Sequence, residues 1–138
     1  MKPDQFSIEE SFVRTCKSIL GAMAPGRKIS MRQILEKALA ERPEGHYVEF
    51  STALRALYLV RSRGEDAVFK RDMIRERWSE LNAQVNDVMR RRPAYSFPRA
   101  LAYALTYRRP SRYYIPERTA RALLRRALQE MRITLVYA

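Results

Sequence analysis

Apolar residues recur at every third or fourth position along nearly the whole chain, and that period commits it to α-helices packed on one another. The longest case runs from about Phe69 to Arg91. There Ile74, Trp78, Leu81, Val85, Val88 and Met89 fall within a sector of about 100° at 100° per residue, a core-facing stripe. Glu76, Glu80 and Asp87 lie on the far side. Glycine occurs only four times, which argues against an all-β fold rich in tight turns and against loops that cradle phosphate on bare backbone. The expected fold is all-α: about six helices in a compact bundle or in stacked helix–loop–helix units.

Punctuation in the sequence sets the boundaries. Ser7 with Glu10, and Ser30 with Gln33, have the spacing of capping boxes that open a first and a second helix. The first carries Ile8, Phe12, Cys16, Ile19, Leu20 and Met23 on one face and stops at Ala24-Pro25-Gly26; the second buries Ile34, Leu35, Ala38 and Leu39. A third helix starts near Ser51, points Ala53, Leu54, Leu57 and Tyr58 inward, and stops near Gly64. A fifth is expected from about Ser96 to Tyr107 and a sixth from about Pro116 to Met131, with Pro116 in the first turn, where its missing N–H costs nothing. Two β-prone pieces, residues 47–50 and 133–137, could form one minor two-stranded pairing. A faint echo links Phe50, Ala53 and Leu54 to Phe97, Ala100 and Leu101 at an offset of 47 residues, a spacing that coincidence between common helix formers explains better than duplication.

At 138 residues and 46% hydrophobic content the chain suits one domain, residues 1–138, with a core of ordinary size. The single cysteine, Cys16, excludes an internal disulfide and a cysteine-based zinc site within one chain. The N-terminal residues lack the apolar run of a signal peptide, and no stretch reaches the roughly 20 apolar residues that span a bilayer. These features point to a cytoplasmic protein without membrane insertion.

Charge divides the chain sharply. Residues 89–138 hold 12 arginines, no lysine and only two acidic residues, Glu117 and Glu130, so this segment carries +10 of the net +12. Residues 1–88, with 15 basic and 13 acidic side chains, read as a balanced scaffold beside an arginine- and tyrosine-rich helical lobe at 89–138. Arg90-Arg91-Arg92-Pro93 marks the break. Arginine grips phosphate with two parallel hydrogen bonds and stacks on aromatic faces, so a cluster of arginine among tyrosine is the footprint of a surface that meets a polyanion.

Helical geometry sharpens that footprint. On the sixth helix Arg121, Arg125 and Arg132 fall within about 60° of Arg118 if the helix continues that far, opposite Ala120, Leu123, Leu124, Ala127 and Met131. On the fifth, Arg99, Tyr103 and Tyr107 share a face, and packing between helices is the first expectation for the two tyrosines. The candidate contacts to nucleic acid are Arg99, Arg108, Arg109, Arg112, Tyr113, Arg118, Arg121 and Arg125, with one of the adjacent Tyr113 and Tyr114 expected to anchor their loop to the core. In a helix–turn–helix reading, Glu117, Arg118, Thr119 and Arg121 face bases and Arg108, Arg109 and Arg112 take phosphates. The connection is longer than the usual three- or four-residue turn, which weakens that assignment but not the charge argument.

Residues for chemistry are sparse. His46, the sole histidine, sits in a Gly-His-Tyr turn with no nucleophile nearby and reads as a surface or strand-entry residue; Cys16 reads as a small buried hydrophobe. No Walker loop, dinucleotide fingerprint or His-Glu-x-x-His motif occurs, and no metal or cofactor is implied. The expectation is a non-enzymatic protein that binds DNA or structured RNA through its C-terminal lobe. The competing reading is an interaction module, docking that lobe on an acidic protein partner or on another copy of the chain.

Overall fold

The computed structural model describes residues 5–23, 30–64 and 71–133. Six helices account for most of them: α1 (Gln5–Gly21), α2 (Met31–Ala40), α3 (Phe50–Arg63), α4 (Asp72–Arg91), α5 (Phe97–Tyr107) and α6 (Glu117–Glu130). No strand occurs among the described residues, and the fold is all-α, as the periodicity requires.

The helices fall into two compact units that are not contiguous in sequence. One unit spans Glu44–Pro110; the other joins Phe6–Pro43 to the chain from Ser111 onward. The composition break at Met89 therefore does not coincide with a boundary between units: it falls near the end of α4, inside the first.

In the first unit α3 and α5 both pack on α4 and on each other. Ala53, Ala56 and Leu57 of α3, Trp78, Leu81, Val85 and Val88 of α4, and Ala100, Leu101 and Ala104 of α5 form one core, closed at one side by Val48. Alanines at four of these positions let helix axes approach closely, while the leucines and Trp78 supply the bulk that fills the space between them. Ile74, placed in the core stripe by sequence, is exposed instead. The two segments of the weak echo, headed by Phe50 and Phe97, open α3 and α5, and both belong to this unit.

The second unit packs α2 on α6. Its buried side chains include Ile8, Phe12, Val13, Cys16, Ile19 and Leu20 of α1, Ile34, Leu35 and Ala38 of α2, and Ala120, Leu123, Leu124, Ala127 and Leu128 of α6. Between α5 and α6 the chain contributes Tyr113 and Ile115 to this core, both almost fully buried.

Helix ends follow local chemistry, with several shifts from expectation. Ser30 caps α2, its hydroxyl accepting the Gln33 N–H, and Ser96 caps α5 by accepting that of Arg99. Ser7 lies inside α1, which begins at Gln5, so the first capping box does not mark that start. Phe50 already belongs to α3, and Tyr47 has a left-handed backbone with φ of 52°, which no strand tolerates, so residues 47–50 are not a strand. Ile133 sits in the cap that follows α6, and the rest of the proposed partner segment, 134–137, lies outside the described residues, as do Ala24-Pro25-Gly26 and Phe69.

That cap is a Schellman motif. Ile133 N–H reaches the Leu128 carbonyl at 2.9 Å and Arg132 N–H the Gln129 carbonyl at 3.1 Å, with Arg132 at φ of 56°. Arg132 therefore stands beyond the helix, and the arginine stripe of α6 ends at Arg125.

Candidate nucleic-acid interface

α4 ends on Arg90 and Arg91, with Arg92 as its C-cap, and its last acidic residue is one turn earlier. Asp87 at i−3 to Arg90 and i−4 to Arg91 is thus placed by helical spacing to meet both. The Asp87 carboxylate pairs with Arg90, with Arg91 at 3.0 Å, and with Arg108, just past α5, at 3.0 Å. Arg108 above all, then Arg91 and Arg90, hold the Asp87 carboxyl below the usual carboxylate range, outweighing the opposite pull of desolvation.

Beside this node the arginines stack on tyrosine. The Arg92 guanidinium lies 4.9 Å from the Tyr103 ring centre and donates to the Tyr103 hydroxyl at 3.3 Å; it also lies 5.6 Å from the Tyr95 ring. Arg99 covers Tyr95 at 4.1 Å. Tyr95 meets Tyr103 edge-on at 6.0 Å, and Tyr103 meets Tyr107 at 4.8 Å. The series ends in solvent, since Tyr107 is 70% exposed. Arg61 continues the pattern on another side of α4, lying 4.5 Å over Phe97 while donating to Asn82 and Asn86.

Val88, Arg91, Arg92, Tyr103 and Arg108 line a cavity of about 420 Å³. Three guanidiniums, those of Arg90, Arg91 and Arg108, share the single carboxylate of Asp87, and Arg92 lines the cavity beside Arg91 and Arg108. One carboxylate fixes the position of several arginines without cancelling their field. A guanidinium has five N–H donors, so those that pair with Asp87 keep others for an incoming anion.

The second unit presents its arginines differently. Arg118, Arg121 and Arg125 are exposed on α6, opposite its buried face, as the helical spacing requires. Arg121 pairs with Glu117 at 2.9 Å, one turn back. Arg118 and Arg125 meet no carboxylate within ion-pair distance among the described residues. Arg126 is internal to the unit, held by Glu10 at 2.7 Å and Glu130 at 3.1 Å, while Lys17 joins Glu130 from α1 at 2.5 Å.

The structure departs from several sequence expectations. Tyr113 is 2% exposed: its hydroxyl bonds Ser11 at 2.7 Å and Thr15 at 2.9 Å, and its ring packs edge-on against Phe12 at 5.1 Å. It is the loop's anchor, too deeply buried to touch a nucleic acid. Arg112 is half-buried, donating to the Tyr113 carbonyl at 3.2 Å and lying over Tyr114 at 5.4 Å. Arg109 is exposed, and its backbone carbonyl accepts from Gln84 at 2.8 Å. Arg99, Arg108 and Arg109 belong to the first unit, and Arg112, Arg118, Arg121 and Arg125 to the second. The helices flanking the loop, α5 and α6, each find packing partners within their own unit.

His46 is buried rather than at the surface. Its Nε2 meets the Gln84 side-chain oxygen at 2.6 Å, so the segment before α3 and the Arg109 carbonyl are tied to α4 through one glutamine. Cys16 is a buried free thiol, and burial pushes its pKa up to about 12. Among the described residues no cluster of His, Cys, Asp and Glu could hold a metal ion, and no helix is long and apolar enough to cross a membrane.

Sequence reasoning marks Arg90–Arg92 only as a break in composition, and so misses the node around Asp87. The legible signal is the i−3 and i−4 spacing of Asp87 to Arg90 and Arg91; the arrival of Arg108 from beyond α5 is tertiary and has none. The chain matches no known family model, no curated protein and no solved structure.

Proposed function

We propose that this protein binds nucleic acid without transforming it, its arginines taking backbone phosphates. The observation that carries the reading is the cluster of Arg90, Arg91 and Arg108 on the one carboxylate of Asp87, beside a cavity lined by Arg91, Arg92, Arg108 and Tyr103. The exposed Arg118 and Arg125 of α6, with Arg99 and Arg109 in the first unit, add further cations for a long polyanion. Neutralising phosphates releases condensed counterions, so affinity falls steeply with salt.

No catalytic step belongs to this reading. The sole histidine is buried and bonded to Gln84, and the sole cysteine is kept protonated by burial, so neither offers a ready base or nucleophile. A cytoplasmic setting goes with this reading.

The direct test is fluorescence anisotropy with labelled DNA and RNA at low and rising salt. Binding at low salt that weakens as salt rises supports the proposal, and Arg118→Glu with Arg125→Glu weakens it further while the helical circular-dichroism spectrum is kept. Absence of binding to every nucleic acid at low salt refutes it.

A further inference from the structure

The first unit's cavity has features that a general phosphate-binding surface does not need. Arg91 and Arg108 are held by Asp87, and Arg92 is held by the hydroxyl and the ring of Tyr103, so all three lining guanidiniums are positioned before any ligand arrives. The fourth polar wall is Tyr103 itself. At about 420 Å³ the space falls in the range of roughly 300–1,000 Å³ typical of sites for small organic ligands, which gives room for a nucleotide unit and not merely a phosphate. Tyr103 leads at 4.8 Å to Tyr107, whose ring is mostly in water at the end of α5. An exposed aromatic ring next to a cationic seat is what an unpaired base stacks on while its phosphate is held. Bases in a duplex already stack on their neighbours and offer no open face.

From this geometry we infer that the cavity of Arg91, Arg92, Tyr103 and Arg108 seats a backbone phosphate of single-stranded nucleic acid, with an adjacent base stacked on Tyr107. The inference rests on the nucleic-acid reading above and narrows it to one strand state. It also gives Asp87 a purpose: a carboxylate inside a basic cluster orients the arginines that would otherwise repel one another. The shared chemistry, a phosphate ester beside a planar ring, is also that of a free nucleotide, so the test separates the two sources.

The experiment uses the full chain and three probes at low salt: a fluorescein-labelled 20-nucleotide single strand of mixed sequence, the same sequence as a duplex, and the mononucleotide dTMP as competitor. The expected result is binding of the single strand at least tenfold tighter than of the duplex. Tyr107→Ala should reduce that preference by about fivefold or more, the loss of one base stack, with an unchanged circular-dichroism spectrum. Competition by dTMP should require concentrations far above the oligonucleotide's own dissociation constant. Equal affinity for the two strand states, or a preference that survives Tyr107→Ala, overturns the inference while leaving nucleic-acid binding standing. Displacement by dTMP as effective as by the 20-mer overturns it in favour of a nucleotide pocket. No binding of any probe sinks both readings together.

Discussion

Gly64 and Arg132 both hold a positive φ, a backbone conformation that most residues avoid. Gly64 ends α3 at φ of 84°, a conformation that suits glycine, and nothing lies within 4 Å of where a Cβ would stand. Arg132 occupies the left-handed position of the Schellman cap, where glycine is the usual residue. The two positions therefore give opposite expectations. Gly64→Ala should lower stability by about 1–3 kcal/mol through backbone strain alone, and Arg132→Gly should raise it by up to about 1 kcal/mol; urea denaturation of each variant measures both signs. Cys16 gives a third expectation. With its thiol pushed up to about 12, it should not react with a thiol reagent at pH 8 until the protein unfolds, and it should react fully in denaturant. The raised value leaves stability intact below about pH 9, its ordinary value, and stability falls as pH rises from there toward 12, because only the unfolded chain releases the proton. The burial of Cys16 was legible from the apolar face it occupies in sequence. The burial of Tyr113 was not, because its partners Ser11 and Thr15 are about a hundred residues away.

At the scale of elements, helix identity was written in the 3.6-residue period, and the ends were written less clearly. Ser30 and Ser96 cap their helices, whereas Ser7 lies inside α1, past its first residue Gln5. The β-prone run at 47–50 was overridden by packing: Val48 joins the core of the first unit, Tyr47 turns left-handed, and Phe50 enters α3. The tie between α4 and the segment after α5 was not legible at all, since it depends on Asp87 receiving Arg108 across the unit. That tie has a pH signature. The depressed carboxyl of Asp87, like that of Glu130 held by Lys17 and Arg126, contributes stability above about pH 4 that is lost as the pH falls through the depressed value. Asp87→Asn should flatten the acid limb of the stability–pH profile, measured by thermal unfolding between pH 2 and 6. An acid limb identical to that of the wild type would mean that Asp87 does not hold these arginines in solution.

For the whole molecule, the charge imbalance was plain in the sequence, but how it is distributed was not. A split at residue 89 suggests one basic lobe; the folded chain instead places its arginines in two units, each built around its own core. The first unit concentrates them around Asp87 and stacks them on Tyr95 and Tyr103, and the second leaves Arg118 and Arg125 on an open helix face. Under the proposed function these would be different ways of meeting phosphate: a preorganised seat and an exposed rail. The proposed seat is the one built beside a carboxylate, Asp87, which holds Arg90, Arg91 and Arg108. Its most direct test is the salt dependence of single-strand affinity, compared between the wild type and Arg91→Ala with Arg92→Ala. If these arginines neutralise the seated phosphate, the slope of log affinity against log salt should become shallower by about 0.7, the value for one single-strand phosphate no longer neutralised, with helical content unchanged. Parallel lines for the two proteins would show that the arginines at the end of α4 do not touch the backbone, and the seat would have to be abandoned.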